Sequence, residues 1–405
     1  MANDVTAWND ETVWESSGFM RFLADHQVDL TDLVNPLTKK TSLRFFRKGA
    51  FNFLLLKRLN CNANQETEKR CLQLIAANLI REISQRDPMC SLNTNPRAVA
   101  WLPGFYSLPA SVPLARVDLY KEGQVYGIDI SSGYAVALLN LQPGEHVLDL
   151  CCAPGAKLTL MADHLQLHGS VTGVDFSKSR LGACKQLVQK YKLFESHSEV
   201  LKWRCRLFYA DGKTFSIGPK TETMNLKGVE IILDSQEIES RASKDRLRKR
   251  KNKSARAREA KHQTLLEWDS ALYDKVLVDA ECTHDGSIRH LQRLNTASKW
   301  KGYVRDHLNS CEIERILELQ SRLIRNGFNL LRPGGTMVYS TCSLSVKQNE
   351  EIVSAFLQDE PLATLDPIVA DKAVPCQEGR LPGTVRFTPS QNTSGLFIAR
   401  ICKAT

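Results

Sequence analysis

From about residue 112, short apolar runs alternate with helical segments and turns, and this alternation restricts the fold more than any other feature of the chain. Four runs have the length and composition of buried strands, at residues 146–150, 170–175, 273–279 and 335–340. Strands that alternate with helices predict an α/β fold built on a parallel, doubly wound sheet. Ligands of such a sheet lie beyond the carboxyl ends of its strands. The edge of a binding site is therefore expected at three aspartates that close these runs, Asp149, Asp175 and Asp279.

The chain is expected to divide into two domains. Residues 1–111 are interpreted as a mainly helical N-terminal domain, because residues 70–81 place apolar side chains at helical spacing. Residues 112–405 are interpreted as the α/β domain. A polar stretch at 218–266 interrupts the α/β pattern and is interpreted as a basic, disordered insertion.

Cysteine usage and the amino-terminal sequence indicate an intracellular protein, in the cytoplasm or the nucleus. The 12 cysteines among 405 residues are scattered and include no Cys-x-x-Cys pair, which argues against a disulfide scaffold and against a zinc ribbon. The first residues are acidic and polar, unlike a signal peptide or a transit peptide. No uncharged apolar stretch approaches the length of a membrane span. We therefore expect reduced thiols, no metal site and no membrane partner.

Two basic segments account for the excess of positive charge. The chain has 54 Lys and Arg residues against 45 Asp and Glu residues, a net charge of +9. Residues 39–58 contribute +7 and residues 244–261 contribute +8, so the other residues together carry −6. Both segments are candidate RNA contacts. For the aromatic residues within 39–58, an amphipathic helix with a buried apolar face is the favoured interpretation, while an RNA contact by Arg44, Arg47 and Lys48 stays open.

The loop after the first predicted strand is typical of a nucleoside-cofactor site. It reads Asp-Leu-Cys-Cys-Ala-Pro-Gly-Ala-Lys from Asp149 to Lys157, and its backbone N–H groups can approach a ligand closely where the glycine turns into a helix. Asp175 ends the next strand, in the position of the acid that binds ribose hydroxyls in dinucleotide folds. The loop lacks the spaced glycines of a dinucleotide fingerprint, and a nicotinamide enzyme remains an alternative.

Two cysteines follow the ends of two other predicted strands. Cys282 lies three residues after Asp279, and Cys342 follows the run at 335–340. In the predicted sheet both thiols lie at the same edge as the cofactor loop. A free cysteine is more commonly an inert buried residue. A pair placed in this way can serve covalent catalysis or form a redox couple.

Three motifs in this order resemble those of the Sun/Fmu (RsmB-like) RNA cytosine-5 methyltransferases. They are the loop at 149–157, Asp-Ala-Glu-Cys at 279–282, and Tyr-Ser-Thr-Cys-Ser-Leu at 339–344 with Asn-Glu-Glu at 349–351. The resemblance extends over about residues 115–402 and leaves out the basic insertion. It implies a Rossmann-like S-adenosylmethionine-dependent methyltransferase sheet with helices on both faces, and it makes residues 112–405 the catalytic domain.

The resemblance also implies a role for each site residue. Cys342 is implied as the nucleophile that attacks C6 of a cytosine, Asp279 as the acid that contacts the base, and Cys282 as the thiol that aids product release. The cytosine, in tRNA or rRNA, must be unstacked for its C6 to be reached. A monomer is expected. The residues implied to bind S-adenosylmethionine are Cys151, Cys152, Ala153, Pro154, Gly155, Ala156, Lys157, Asp175, Arg180, Asp211 and Asp279.

Departures from the family pattern leave one alternative open. Glu281 stands where the family has a proline, Thr-His-Asp at 283–285 replaces the usual Ser-Gly, and Ala156 replaces a glycine of the cofactor loop. A carboxylate beside Cys282 is expected to weaken the thiolate character of that residue and so to slow product release. His284 is a candidate proton acceptor that offsets this effect. The alternative function is a catalytically silent RNA-binding scaffold that keeps the methyltransferase fold.

Overall fold

The computed structural model describes most of the chain after residue 96 and short parts before it. The described residues are 17–28, 43–48, 81, 97–109, 114–116, 118–123, 125–193, 203–221, 228–236, 272–294, 296–391 and 393–405. The basic segment at 244–261, the predicted helix before residue 81 and most of residues 39–58 lie outside them.

A small antiparallel sheet and two short helices occupy the first part of the described chain. The elements are α1 (Ser17–Asp25), β1 (Leu43–Lys48), β2 (Arg97–Ala98), β3 (Phe105–Pro109), α2 (Asp118–Lys121) and β4 (Val125–Gly127), with a 3₁₀ turn at Leu114–Arg116 before α2. The strand order is β2-β3-β1-β4, and every pair in this sheet is antiparallel.

A large mixed sheet follows, and it carries the predicted α/β pattern. The first half of this α/β region contains α3 (Ile130–Ala137), β5 (His146–Asp149), α4 (Ala156–His164), β6 (Gly169–Asp175), α5 (Lys178–Lys190), β7 (Trp203–Tyr209), β8 (Glu230–Asp234) and β9 (Tyr273–Asp279). Its second half contains α6 (Ile288–Leu291), α7 (Ala297–His307), α8 (Ser310–Asn329), β10 (Leu331–Thr341), α9 (Glu350–Asp359), β11 (Ala363–Leu365), β12 (Gln377–Glu378), β13 (Val385–Phe387), a 3₁₀ turn at Pro389–Gln391 and β14 (Leu396–Lys403).

The strand order of the large sheet is β12-β13-β14-β10-β9-β5-β6-β7-β8, with β11 paired to β14. The five central strands from β10 to β7 are parallel, whereas β8 and β14 are antiparallel to their neighbours. The α/β prediction is therefore confirmed, and all four predicted strands are present, but the sheet is mixed at its edges. The chain order reverses between β5 and β9, and this switch point is where a ligand crevice opens in such sheets.

Helices cover both faces of the large sheet. Because side chains alternate along a strand, Val147 packs with α4 and α5 on one face, while Leu148 packs with α8 on the other. The 20 residues of α8 bury their apolar side chains at helical spacing, among them Ile324 and Phe328. Each such fully buried side chain contributes about 2 kcal/mol of transfer free energy. No helix among the described residues is long and apolar enough to cross a membrane.

The predicted helix within residues 39–58 is wrong for residues 43–48. These residues form β1, which pairs with β3 on one side and with β4 on the other. Aromatic residues such as Phe45 and Phe46 favour strands, and two partner strands provide the hydrogen bonds that a helix would have made internally. The sheet also takes β4 from beyond residue 111, so the described N-terminal part is not mainly helical and its sheet crosses the predicted domain boundary.

The predicted insertion at 218–266 is likewise wrong for residues 228–236. This part contains β8, which extends the large sheet beside β7. The apolar run from Ile231 to Leu233 provides a strand within an otherwise polar stretch. Asp234 at the end of β8 is buried and pairs with Arg204 of β7 at 2.7 Å.

Candidate active site

A cavity of about 560 Å³ lies at the carboxyl ends of the central strands, within the size range of small-ligand pockets. The side chains that line it include predicted site residues from five strand ends and two helices: Cys151, Lys157, Asp175, Arg180, Asp211, Asp279 and Cys342. The strand-end rule predicted Asp175, Asp279 and Cys342 at this edge, and the family resemblance implied Cys151, Lys157, Arg180 and Asp211.

Asp175 is held at one end of the cavity by backbone amides. Its Oδ2 accepts a hydrogen bond from the N–H of Ala153 at 3.1 Å, and its Oδ1 accepts one from the N–H of Ser177 at 2.9 Å. Burial raises the pKa of Asp175, and Arg180 opposes this effect. The Arg180 guanidinium also donates to the carbonyl oxygen of Ala153. Each carboxylate oxygen retains a lone pair for a ligand hydroxyl, as expected of a ribose-binding acid.

An exposed aromatic ring beside Asp175 was not anticipated from the sequence. Phe176 lines the cavity and is 69% exposed, and its ring stacks on Tyr209 with centroids 5.7 Å apart. Asp211 lies in the same part of the cavity and accepts a hydrogen bond from the N–H of Lys213 at 2.9 Å. A phenyl face next to two carboxylates suits a planar heterocycle attached to a ribose. The signal in the sequence was an aromatic residue directly after a strand-ending acid.

The cofactor loop contributes fewer side chains to the cavity than predicted. Among the described residues that line the cavity, Cys151 and Lys157 come from this loop, whereas Cys152, Ala153, Pro154, Gly155 and Ala156 do not. Gly155 has φ +107°, and a Cβ there would lie 2.8 Å from Sγ of Cys184. Burial raises the pKa of the thiols of both Cys151 and Cys152. These residues shape the loop, and the Cys152 thiol is an interior group.

Asp149 lies behind the cavity wall. The side chain is buried, its Oδ1 has no hydrogen-bond partner, and burial together with the charge of Asp279 raises its pKa to about 8. It is not among the side chains that line the cavity. The expectation that all three strand-ending aspartates edge the site therefore holds for Asp175 and Asp279, and Asp149 stands behind them.

Asp279 lies on the cavity wall in a fixed orientation. Its Oδ2 accepts from Nζ of Lys157 at 2.8 Å, and its Oδ1 accepts from Oγ of Ser340 at 2.8 Å. Burial lowers the pKa of Lys157, but the Asp279 carboxylate more than offsets this, so that the pKa is raised overall. The loop lysine is therefore a cation paired with the candidate base-contacting acid.

The two predicted thiols meet at the other end of the cavity. Sγ of Cys282 lies 3.3 Å from Sγ of Cys342, and Nδ1 of His284 lies 3.0 Å from Sγ of Cys342 and 3.7 Å from Sγ of Cys282. Cys282 is buried, whereas Cys342 is half-buried and lines the cavity. The hydrogen bond with Cys282 and burial raise the pKa of Cys342, while His284 acts in the opposite direction. The sulfur that a substrate can reach is therefore that of Cys342.

Glu281 has a partner that the sequence did not reveal. Its Oε1 pairs with Nη2 of Arg315 on α8 at 2.7 Å, and the same guanidinium binds Glu312 at 2.8 Å. The negative charge of the Glu281 carboxylate is therefore paired with a guanidinium group on α8. The titratable side chain that contacts both sulfurs is His284.

Comparison with known proteins gives one matching family and several similar proteins. The family described as 16S rRNA methyltransferase RsmB/F matches residues 136–206 and 222–402. The ribosomal RNA small subunit methyltransferase B of Xanthomonas campestris is 26% identical over 299 residues, which are 74% of this chain and 52% of the relative. The tRNA (cytosine(49)-C(5))-methyltransferase of Pyrococcus abyssi is 25% identical over 316 residues, 74% of this chain and 77% of the relative. The chain spans about half the length of the matched rRNA methyltransferases.

Solved structures share the fold. A methyltransferase homologue from Pyrococcus horikoshii has a TM-score of 0.57 at 19% identity and covers 100% of both chains. The crystal structure of NSun6 from the same organism with SFG has a TM-score of 0.59 at 15% identity, covering 98% of this chain and 97% of the other. At these identities the likeness bears on the fold alone.

Proposed function

Since the chain belongs to the RsmB/F family of 16S rRNA methyltransferases, we propose that it is an S-adenosylmethionine-dependent RNA methyltransferase that forms 5-methylcytosine. The family resemblance predicted from the motifs is confirmed by this match. The observation that carries the proposed reaction is that Cys342 and Asp279 line one cavity and that the buried Cys282 contacts Cys342. The proposed catalytic domain is residues 112–405.

The residues of the cavity fit S-adenosylmethionine. Asp175 would accept hydrogen bonds from the ribose hydroxyls, and Phe176 would lie against the adenine, with Asp211 beside it. Asp175, Asp211 and Asp279 line the cavity, and carboxylates on its wall favour a ligand that carries positive charge. When bound, this cofactor supplies the methyl group that C5 of the cytosine takes. Arg180 and the loop residues would hold the shape of the site through their contacts with Asp175.

The two thiols and Asp279 would perform the chemistry on the base. The thiolate of Cys342 attacks C6, so that an S–C6 bond forms and the electron pair of the C5=C6 bond makes C5 nucleophilic. Asp279, held by Lys157 and Ser340, would contact N3 of the ring. The C5 proton then passes to water in the cavity, the pair of the C5–H bond re-forms the C5=C6 bond, and the S–C6 bond breaks with its pair returning to the Cys342 thiolate. Cys282, at 3.3 Å from Cys342, would aid this release.

Basic side chains beside the thiol end of the cavity support an RNA substrate. Arg289 lines the cavity, and Arg293, Lys299, Lys301 and Arg305 are exposed on the same α6–α7 segment. No Asp or Glu occurs between residues 286 and 305. The charge distribution along the sequence indicated RNA contacts only at residues 39–58 and 244–261, so this surface is an additional candidate contact. The names of similar proteins include an rRNA and a tRNA enzyme, and both RNA classes remain proposals here. A monomeric state and an intracellular location stay predictions.

Bisulfite sequencing of total RNA from cells with and without the protein tests the proposal. We expect a cytosine whose protection from deamination is lost without the protein and is not restored by the variant Cys342→Ala. The variant Cys282→Ala should trap the adduct, visible as a slow protein–RNA band on a denaturing gel. RNA binding without methyl transfer to any RNA, and without a thermal shift on adding S-adenosylmethionine, would favour the silent scaffold. A thermal shift with a nicotinamide cofactor would favour the oxidoreductase.

A further inference from the structure

We infer that His284 is a catalytic base that takes the thiol proton of Cys342. The role rests on the proposed function, because a thiolate at this position is needed only if Cys342 attacks the base. His284 belongs to the Thr-His-Asp segment at 283–285 that replaces the usual Ser-Gly of the family pattern, so the resemblance assigns it no role.

The geometry is that of a thiol–imidazole pair open to the cavity. Nδ1 of His284 lies 3.0 Å from Sγ of Cys342, within the range of a sulfur hydrogen bond, and both side chains line the cavity. In the state before reaction, Sγ–H of Cys342 donates to Nδ1, and Nε2 carries the ring proton. Cys282 is farther from Nδ1, at 3.7 Å, and is buried. The imidazole therefore serves the accessible sulfur first.

The backbone holds His284 in a conformation that favours glycine. Its φ is +60°, in the left-handed region, where a residue with a Cβ is strained. Such outliers persist where the surroundings over-determine them, and they are frequent at functional sites. A glycine would relax the backbone here but would provide no imidazole.

Hydrogen bonds on both sides fix this turn to the segment that carries Cys342. The N–H of Gly286 donates to the carbonyl oxygen of Cys342 at 3.0 Å, and Oδ2 of Asp285 accepts from the N–H of Leu344 at 2.8 Å. On the other side, the hydroxyl of Tyr303 donates to the carbonyl oxygen of Thr283 at 2.7 Å. The imidazole and the sulfur therefore belong to one rigid unit.

The charges that face His284 favour the imidazolium once the proton has moved. The Cys342 thiolate raises the pKa of His284 to about 9, with Asp285 contributing in the same direction, while burial and Arg180 act against it. The ring of His290 lies 5.4 Å away, centroid to centroid, and its own pKa is lowered by burial and then by His284. His290 is thus a neutral neighbour that does not compete for the proton.

The proton and the electron pair can be followed through the step. The S–H bond of Cys342 breaks, its proton moves to Nδ1, and its electron pair stays on sulfur as the pair that forms the S–C6 bond. The imidazolium then gives a proton to water in the open cavity. No oxidant or reductant is required.

Thiol alkylation tests the pair without RNA or cofactor. The full-length protein and the variant His284→Gly are treated with iodoacetamide across pH 6 to 10 in the presence of EDTA. Modification is followed by mass spectrometry of the tryptic peptide 326–347, in which Cys342 is the only cysteine. We expect Cys342 to react about tenfold more slowly at pH 7 in the variant, with its inflection about one pH unit higher. His307→Gln, an exposed imidazole on α7, is the matched control and should follow the wild type.

Methyl transfer and rescue separate this role from a structural one. His284→Gly should transfer methyl groups about 100-fold more slowly, and added imidazole should restore part of the rate. Equal alkylation profiles for the wild type and His284→Gly would overturn the inference, even if the enzyme methylates RNA. A His284-dependent profile in a protein that methylates no RNA would retain the pair and overturn the proposed function instead.

Discussion

The two ends of the cavity are held in place by different kinds of contact. At the acid end, Asp175 is fixed by the N–H groups of Ala153 and Ser177, which belong to the turns after β5 and β6. At the thiol end, Cys342 and His284 are fixed mainly through contacts between segments about 60 residues apart. The acid end follows from local strand–turn–helix geometry, whereas the thiol end depends on how β9, β10 and α7 pack together. The geometry of the acid end should therefore tolerate changes in the turn that carries His284. The geometry of the thiol end should likewise tolerate changes at Asp175.

The largest expected effect comes from removing the accessible thiol. Cys342→Ala should lower methyl transfer at least about 1000-fold, because no S–C6 bond can form. Cofactor affinity, measured by isothermal titration calorimetry, should stay within about twofold, since the change is at the other end of the cavity. Cys311→Ala, an exposed thiol on α8, is the control. A Cys342→Ala enzyme with full activity would contradict the proposed mechanism.

Removing the Asp175 carboxylate should have the opposite effect, because cofactor binding is weakened while the Cys342 thiol keeps its reactivity. Asp175→Ala should weaken S-adenosylmethionine binding by about 10- to 100-fold, the range for hydrogen bonds to a charged group. Asp175→Asn, which keeps an acceptor oxygen for one backbone N–H group, should lose less. The alkylation rate of Cys342 should be unchanged in both variants. A large change in that rate would show that the two ends are coupled.

Of the two ends of the cavity, only the thiol end should affect RNA binding. The double variant Lys299→Ala/Lys301→Ala removes two exposed charges of α7 and should weaken RNA binding a few-fold, with the slope of log K against log salt smaller by about 1. Fluorescence anisotropy over a salt series measures both quantities. Lys192→Ala/Lys372→Ala, two exposed lysines that do not line the cavity, should leave the slope unchanged. An unchanged slope in the α7 variant would remove this surface from the proposed RNA contact.

The last expected effect is on stability rather than on binding or catalysis, and it concerns Asp149, behind the wall between the two ends. Its pKa of about 8 lies above its ordinary value of 3.8, so the folded protein keeps a proton that the unfolded chain has already lost between these pH values. Stability should therefore fall as the pH rises through this window, by at most about 1.4 kcal/mol per pH unit. Asp149→Asn mimics the protonated acid and should raise Tm by a few degrees at pH 8 and flatten its decline from pH 5. An equal loss of Tm at every pH would contradict this account.

The sequence predicted what depends on local pattern. The four predicted strands follow from short apolar runs that alternate with helical segments. The placement of Asp175, Asp279 and Cys342 on one cavity, with Cys282 in contact with Cys342, follows from the rule that ligands lie beyond the carboxyl ends of parallel strands. Their roles in catalysis remain proposals. Residue types and their positions along the chain therefore indicate where this cavity lies, but they do not give the geometry of its side chains.

Contacts between distant segments were beyond the reach of the sequence. Arg315 pairs with Glu281 across 34 residues, and no local pattern announces that partner. β1 was interpreted as a helix because a basic segment with interleaved phenylalanines suits either structure, and only pairing with β3 and β4 decides between them. The hydrogen bonds that position His284 come from three different elements, so the sequence, which made His284 a candidate proton acceptor beside Cys282, gave no indication of its closer contact with Cys342.

The order in which the chain is synthesised matters for the small antiparallel sheet, because its paired strands are far apart in the sequence. Phe46 of β1 pairs with Gly127 of β4, a residue synthesised 81 positions later. At about 5–20 residues per second, β1 leaves the ribosome roughly 4 to 16 s before this partner exists. Both edges of the strand lack their native hydrogen bonds until β3 is made, and the edge that pairs with β4 lacks them throughout the interval. An unpaired edge is a template for association with other chains. β1, the first strand among the described residues, is therefore expected to be a client for a ribosome-bound chaperone, and nascent chains that end before residue 125 should be the ones most prone to aggregate.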